Sequence, residues 1–584
     1  MDNITLARLL DETASLLEID GADPFRIRSY RRAAEAVEQQ TAQLAPMAAP
    51  NADPKLLLAI PGIGKGMAAN IRDLVATGTM QLREELLTKY RPTMLELLRL
   101  PGMGPKTVAL VWSALQVSNI DELEAAAKAG QLTDLPRMGQ KFVDKLLKGI
   151  EDYRRNSSRF RIDVARDFAD RIATLILAFP GIDQVTPAGS LRRGRETVGD
   201  LDLLATGPAC EPDVVAAAVE YVATLPLIDK LHARGQNKVT FTLRNNLQVD
   251  VRLLPRASYG AALQYFTGSK HHNVALRQRA IKRGLTLNEY ALLRMEDNVI
   301  VAAATEEAIY NALDLDYIPP ELRENNGEIE AAASHTLPHL ITLADLHGDV
   351  HMHTTETDGT ATIREMAEAA IARGRRYIAI TDHSKNLAMT NGMDDARALA
   401  HAARVRQVNN EMAGRIHLFT GIEVDILAEG DLDLADETLA QLDIVVASIH
   451  SRFDQPRDVI TARILRAIEN PYVRILGHPT GRKLLQRDPY PVDLEVIFRR
   501  AAELGVAVEH NAAPARTDLS ESNMRLAKSL GCKISINTDA HATTEMDYML
   551  DGIVQLRRAS LTPADVINTA PTPEAFLAQL RPRP

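Results

Sequence analysis

The sequence predicts a multidomain protein with an all-α N-terminal part, an α+β middle and a C-terminal part of alternating strands and helices. Three observations carry this reading. Gly-Pro turns break the first 150 residues into short helical stretches with little β-branched alternation. Strand patterns with aspartates at alternate positions follow between residues 198 and 253. Beyond residue 340, apolar β-branched runs alternate with helical stretches, as in βα units that build a parallel sheet or barrel. A chain of 584 residues is too long for one core, and its length suggests about three to four domains.

Composition narrows the classes. Hydrophobic residues at 46% and charged residues at 25% match ordinary globular proteins. No apolar run is long enough to span a bilayer. Met1-Asp2-Asn3-Ile4-Thr5 lacks the basic and apolar segments of a secretion signal. Two cysteines, Cys210 and Cys532, exclude a disulfide framework or a Cys-rich zinc module and fit a reducing cytoplasm. The net charge of −10 weighs against nucleic acid only when averaged over the chain. The acidity sits mostly in the C-terminal part, whereas residues 251–300 are basic, and a local patch sets the footprint. No heptad pattern is evident, which leans towards a monomer.

In chain order, Ile60-Pro61-Gly62-Ile63-Gly64-Lys65 recurs as Leu100-Pro101-Gly102-Met103-Gly104-Pro105-Lys106. Leu135-Pro136-Arg137-Met138-Gly139-Gln140-Lys141 is a looser echo. Glycine permits the positive-φ turn and close backbone approach, and the amides of the following helix face outward. Two clean copies point to helix–hairpin–helix modules that grip DNA backbone through Gly62, Gly64, Lys65, Gly102, Gly104 and Lys106. Residues 160–178 read as one amphipathic helix ending before Pro180-Gly181. Val198 to Ala205 reads as a strand, and Lys238–Leu243 and Leu247–Leu253 as a hairpin about Arg244-Asn245-Asn246. Residues 255–318 mix helix and short strands, and residues 319–340 read as a linker. The strands expected next are Tyr377–Thr381, His417–Val424, Asp443–Ile449, Val473–Leu476, Val506–Val508 and Lys533–Asn537.

The middle part carries three aspartates. Gly189-Ser190 precedes Arg192-Arg193-Gly194, then Gly199-Asp200-Leu201-Asp202. Residues i and i+2 of a strand share a face, so Asp200 and Asp202 reach the same cations. Asp250, mid-strand in Val249-Asp250-Val251-Arg252, would lie alongside on a neighbouring strand. Three carboxylates on one face suit two Mg2+ ions and an in-line phosphoryl transfer. Gly189, Ser190 and Arg193 would hold the triphosphate.

On these motifs residues 1–318 resemble family X DNA polymerases, the group that includes DNA polymerase beta. Gly189-Ser190-x-Arg192-Arg193-Gly194, Gly199-Asp200-x-Asp202 and Asp250-Val251-Arg252 are similar to that family's palm. Tyr265-Phe266-Thr267-Gly268-Ser269, Asn273, Arg277 and Gly284-Leu285-Thr286-Leu287-Asn288-Glu289-Tyr290 are similar to its thumb. The resemblance implies that Asp200 and Asp202 bind both metals. Asp250 binds the one that activates the primer 3′ hydroxyl. It also implies that Tyr265 and Phe266 lie beside the incoming sugar, Asn273 at its base and Gly268 in the nucleotide site, with Arg277 on the template and Arg252 and Arg256 on DNA. One departure concerns the family's lyase activity. The position of its Schiff-base lysine holds Asn70, and Arg26 replaces a second lysine; neither side chain supplies that nucleophile. Arg26, Arg28 and Arg31 are left to bind a 5′ phosphate at a gap.

Of 15 histidines, 12 lie after residue 330. His351-x-His353 on an apparent strand is followed by Asp358, His383, Glu423, His450, His478, Asp539 and His541. Nearly every one ends an apolar run, and strand C-termini of a βα barrel converge on one face. The pattern over 341–578 resembles the PHP domain, a distorted (β/α)7 barrel, with all nine metal ligands of that family filled. The resemblance implies one metal at His351, His353, Glu423 and Asp539. It implies a second at Asp358, His383 and His541, and a third at Glu423, His450 and His478. Mixed nitrogen and oxygen ligands suit Mn2+ or Zn2+, up to three ions.

The domain order implied is a helical domain with a hairpin module (1–84), a second hairpin-bearing domain (85–150), palm (151–256), thumb (257–318), linker (319–340) and PHP phosphoesterase (341–578). The expected function is deoxynucleotide gap filling in DNA repair, with 3′–5′ trimming by the PHP site and cutting at abasic sites left open. Gapped or primed DNA and deoxynucleoside triphosphates are the expected partners, with no membrane, in a bacterial cytoplasm at the nucleoid. Two alternatives stay open: a phosphoesterase of small metabolites anchored to DNA, and a repair scaffold with a vestigial polymerase site.

Overall fold

A computed structural model describes residues 3–38, 44–49, 52–60, 62–157 and 159–582. Pro61 of the first glycine hairpin lies outside the described residues, as do Met1 and Asp2. The chain forms two compact units, Met1–Ser157 and Ser158–Pro584.

The first unit is helical. The helices Lys65–Thr77, Pro105–Leu115 and Gln140–Ser157 each begin at the end of one copy of the repeat, directly after its last glycine. Gly62 and Gly102 take φ of +94° and +80°, the left-handed conformation that glycine adopts without strain. A side chain at Gly102 would also meet the Phe142 ring at 2.7 Å. The third copy makes the same turn with Arg137 at φ +70°, so the looser echo is a structural repeat as well. Apolar faces close two cores, one around Leu10, Leu16, Ile71 and Leu74 and one around Val108, Val111, Leu123 and Leu146.

The second unit contains a five-stranded sheet in the order Gln184–Pro187, Asp200–Thr206, Gln248–Leu253, Lys238–Leu243, Ile228–Arg234. The helices Ile162–Leu177 and Val215–Ala223 cover one face with Ala169, Ile172, Ala218 and Val222. The expected hairpin forms, with Asn246 at φ +65° and the Leu243 amide donating to the Leu247 carbonyl. Two boundaries differ from expectation. Thr197–Val198 pairs with Phe160–Arg161 instead of joining the strand from Asp200, and the helix therefore starts at Ile162. The edge strand Ile228–Arg234 was not legible, because nearly all its side chains are exposed and no apolar alternation marks it.

Residues 319–340, expected as a linker, are packed. Pro320–Leu322 forms a tight turn and Glu328–Ala333 a helix, and Leu322, Ile329, Ala332 and Leu340 enter the core built by Leu276, Leu292 and Ile309. Arg323 is fully buried there, paired with Glu306.

The C-terminal part is a nearly closed barrel of seven parallel strands in sequence order, from Gly348–Asp349 to Ile534–Asn537. Past the strand ends, the His353 amide donates to the Ala540 carbonyl at 2.8 Å and the Asp539 amide to the His351 carbonyl at 3.0 Å, bringing the first and last strands together. Val350, Ala379, Phe419, Val446 and Ile475 fill the interior. The first strand ends at Asp349, so His351 and His353 sit on the segment beyond it and not within the strand as expected. Among the described residues no helix is long and apolar enough to cross a membrane.

Candidate metal centres

Asp200 and Asp202 stand on one strand, and Asp202 lies directly opposite Asp250 on the parallel neighbour. Lys238 Nζ reaches Asp250 Oδ2 at 2.8 Å, and Thr240 Oγ1 donates to Oδ1 at 2.6 Å. Burial, followed by the charges of Asp200 and Asp250, pushes the Asp202 carboxyl up to about 7. Asp200 and Asp250 thus repel a charge on Asp202, and the three carboxylates offer oxygen donors of the kind that divalent ions prefer. Gly189 at φ +56° backs onto this group: a Cβ there would run into Asp202 Oδ2.

Ser190 lies in the single helical turn Gly189–Arg192 beside the aspartate strand. Arg193, expected on the triphosphate, is held elsewhere: its Nε donates to Glu324 Oε1 at 2.9 Å and its Nη1 to the Thr267 carbonyl at 2.7 Å. Arg192 forks onto Glu306 at 2.9 and 2.7 Å. Tyr265 and Phe266 meet edge to face at 5.0 Å, with Arg252 over Phe266 at 4.3 Å and Arg277 over Tyr265 at 6.0 Å. Asn273 caps this turn, its Nδ2 donating to the carbonyls of Tyr265 and Gly268 at 2.6 and 3.2 Å. Arg256 pairs with Asp183.

In the first unit, Gly62, Gly64, Lys65, Gly102, Gly104 and Lys106 are all exposed. A cleft of about 700 Å³ opens beside the first hairpin, lined by Arg26, Ser29, Tyr30, Arg32, Gly64 and Asn70. Asn70 Nδ2 donates to the Tyr30 hydroxyl at 2.7 Å, so no amine faces the cleft from that position. Arg31 pairs with Glu18 at 2.5 Å and Arg28 lies over Phe25, so of the three arginines only Arg26 lines the cleft.

The barrel's strand ends bring all nine predicted ligands together. Glu423, 1% exposed, is the hub. Its Oε1 lies 2.9 Å from His478 Nε2 and 3.3 Å from His450 Nε2. Its Oε2 lies 2.9 Å from His383 Nδ1, 3.4 Å from His351 Nε2 and 3.6 Å from His353 Nε2. Asp539 Oδ1 is 3.0 Å from His353 Nε2, and Asp358 Oδ2 is 3.4 Å from both His383 and His541. Three ligand clusters emerge: His351, His353 and Asp539; His353, Asp358, His383 and His541; His383, Glu423 and His450. His353 and His383 each belong to two clusters, so the division is less sharp than expected. Buried ring nitrogens of His351, His353, His450 and His478 have no hydrogen-bond partner, which fits coordination of metal, although His510 Nε2, outside the clusters, is unpartnered as well. Without metal, burial and the neighbouring His541 and His383 push His353 down to about 4. Against the effect of burial, Glu423 and Asp358 raise His383 to about 10.

Sequence reasoning missed the supports of these ligands. Glu509, fully buried, accepts from His351 Nδ1 at 2.7 Å, from the His478 amide at 2.7 Å and from Asn537 Nδ2 at 2.8 Å. Asp425 Oδ1 receives His450 Nδ1 at 3.2 Å, and Asn511 Nδ2 donates to Asp539 Oδ2 at 2.9 Å. The signal for Glu509 was present: it is a lone charge at the end of the apolar run Val506-Ala507-Val508.

An aspartate-bearing palm joined to a histidine-rich barrel defines a metal-dependent enzyme of phosphate chemistry acting on DNA. Family comparisons agree with each part. A helix-hairpin-helix domain matches residues 1–80, a SAM-like helix-hairpin-helix tandem 94–152, the DNA polymerase beta thumb 262–324 and the PHP domain 349–487. The DNA polymerase/3′-5′ exonuclease PolX of Bacillus subtilis is 36% identical over 577 residues, covering 98% of each chain. A probable phosphatase of Thermoanaerobacter sp. is 33% identical over 232 residues, 38% of this chain and 89% of its own. Another, of Edwardsiella ictaluri, is 30% identical over 246 residues, 40% of this chain and 95% of its own. The chain belongs to the family X DNA polymerases that carry a C-terminal PHP domain.

Proposed function

We propose that the chain extends DNA primers across short gaps at Asp200, Asp202 and Asp250, and trims 3′ ends by phosphodiester hydrolysis at the barrel's nine ligands. The single observation that carries the reading is that one chain brings together aspartates in register across paired strands and, separately, histidines and carboxylates gathered on Glu423. The near full-length similarity to a protein named for both activities supports it.

At the palm, the oxygen ligands favour Mg2+; at the barrel, mixed imidazole and carboxylate favours Mn2+ or Zn2+. The bound ions would supply Lewis-acid charge to the attacking and leaving oxygens. The chain's own residues do the rest. The turn Gly189–Arg192 presents Ser190 beside the aspartates, and Arg193 would move from Glu324 onto the triphosphate of a deoxynucleotide. Tyr265 and Phe266 form the floor for the sugar, stiffened by Asn273. Arg252, Arg256 and Arg277 would steady the duplex. The exposed glycine hairpins would hold DNA phosphates on helix N-termini, without reading sequence. At the barrel, Asp425, Glu509 and Asn511 fix the directions of His450, His351 and Asp539. Such an enzyme would work as a monomer at the nucleoid of a bacterial cytoplasm, in DNA repair. With Asn70 bonded to Tyr30, that position supplies no Schiff-base amine for removal of a deoxyribose phosphate.

The probable-phosphatase relatives of the C-terminal part favour a second reading of the barrel, hydrolysis of small phosphate monoesters. A 5′-labelled primer and a panel of phosphate monoesters, each given to the metal-loaded protein, separate the two. Shortening of the primer supports the first reading; turnover of monoesters alone overturns it.

A further inference from the structure

The palm touches the barrel where the metal ligands are held. Glu196 lies between the turn that carries Arg193 and the strand that carries Asp200. Its carboxylate is gripped by both nitrogens of the Arg482 fork, at 3.1 and 2.6 Å. Arg482 is 9% exposed, and its Nε also donates to the Thr517 carbonyl at 3.0 Å. One guanidinium therefore ties a palm residue to two barrel loops.

Both loops lead to metal ligands. On one, Arg482 ends the tight turn His478-Pro479-Thr480-Gly481-Arg482, closed by the Gly481 amide on the His478 carbonyl at 3.0 Å. On the other, Thr517 sits between Arg516, whose Nε is 3.5 Å from Asp539 Oδ2, and Asp518, whose carboxylate receives the Thr480 amide at 3.0 Å and hydroxyl at 2.8 Å. Both loops are conformationally costly. His478 has φ +23° and Thr517 φ +47°, and left-handed backbone at a β-branched residue persists only where its surroundings over-determine it. The Arg482 fork on the Thr517 carbonyl supplies such a constraint, and Glu196 neutralises and aims the fork.

The palm side is equally pinned. Gln555 Nε2 donates to the Gly194 carbonyl at 2.7 Å, and Arg558 Nη1 to the Arg193 carbonyl at 2.6 Å. At Gly194 a side chain would collide with Val554. The segment bearing Glu196 cannot drift from the barrel without breaking these contacts.

We infer that Glu196, a palm residue outside both ligand sets, is a positioning residue for the barrel's metal centre, acting through Arg482 on His478 and Asp539. The inference rests on the proposed hydrolysis at that centre, but its consequence for metal binding does not. Removing the carboxylate leaves the Arg482 charge nearly buried and unpaired and frees the two loops.

The test uses the full chain as wild type, Glu196→Ala, Glu196→Gln, Arg482→Ala and the double Glu196→Ala/Arg482→Ala. Mn2+ affinity of the metal-stripped protein is measured by calorimetry, 3′–5′ hydrolysis by kcat and KM on a labelled primer, and folding by thermal unfolding. Glu196→Ala is expected to weaken Mn2+ binding and lower kcat by about 10- to 100-fold, the range for losing a support of a metal ligand, with KM for the primer changed by less than about threefold. The double variant is expected to lose no more than the worse single one, because the pair acts as a unit. Glu196→Gln, which keeps one hydrogen-bond acceptor, should recover part of the loss. Unchanged Mn2+ affinity in a folded Glu196→Ala protein overturns the inference, and so do additive losses in the double variant. If wild type binds Mn2+ but shortens no primer, the proposed hydrolysis falls and the affinities alone decide this inference.

Discussion

Glu509 Oε1 lies 2.7 Å from His351 Nδ1, with both side chains removed from solvent. The contact leaves His351 Nε2 directed at Glu423 and Asp539, 3.4 and 3.7 Å away. A carboxylate behind an imidazole sets the ring's tautomer and raises its basicity as a ligand. Replacing Glu509 with Gln is expected to weaken Mn2+ binding at the barrel by about 10- to 100-fold, read by calorimetry, while nucleotide incorporation at the palm persists.

The raised carboxyl of Asp202 gives a pH dependence with a definite sign. The folded, metal-free protein keeps this proton up to about pH 7, whereas the unfolded chain loses it near 3.8. Its contribution to stability is therefore complete below the unfolded value and lost as pH rises through 7. Thermal unfolding of metal-free protein should show wild type losing Tm relative to Asp202→Asn as pH rises from about 4 to about 7, with no further loss above that, and Mg2+ should restore wild type alone. A constant difference between the two proteins across that window would contradict the assignment.

If Arg193 holds the triphosphate as proposed, Glu324 competes with the nucleotide for it. Although burial opposes its charge, Arg193 and Arg558 hold its carboxyl below the ordinary range, so it stays an anion paired with Arg193. Glu324→Gln is expected to lower KM for deoxynucleotides by about tenfold, equivalent to about 1.4 kcal/mol, in steady-state incorporation on gapped DNA. A raised KM would mean that Glu324 shapes the site and does not compete for it.

Gly189 has no room for a side chain, and its φ of +56° disfavours any other residue. Gly189→Ala should displace Asp202 and lower incorporation by about 100-fold or more, with 3′–5′ hydrolysis at the barrel retained, in paired extension and shortening assays.

Much of this was legible in the sequence, for physical reasons. The i, i+2 spacing of Asp200 and Asp202 dictates a shared face, and the barrel ligands end apolar runs whose termini had to converge. The glycine repeat revealed its turns because only glycine is free of strain there; Arg137, making the same turn, was visible only as an echo. What stayed hidden depended on partners distant in sequence. Leu322 and Ile329 look like linker residues until the thumb core receives them. Glu306 gives no local sign that it neutralises Arg192 and Arg323 together. Glu196 and Arg482, 286 positions apart, carry no periodicity that would pair them.

The central claim is that one chain holds two separable DNA activities. A 5′-labelled primer on DNA with a one-nucleotide gap and a 5′ phosphate, incubated with Mg2+ or Mn2+ and with or without deoxynucleotides, tests it on wild type, Asp202→Ala and His353→Ala. The account predicts that Asp202→Ala loses extension and keeps shortening, and that His353→Ala does the reverse. A primer never shortened under either metal, or both activities lost together in either folded variant, would contradict it.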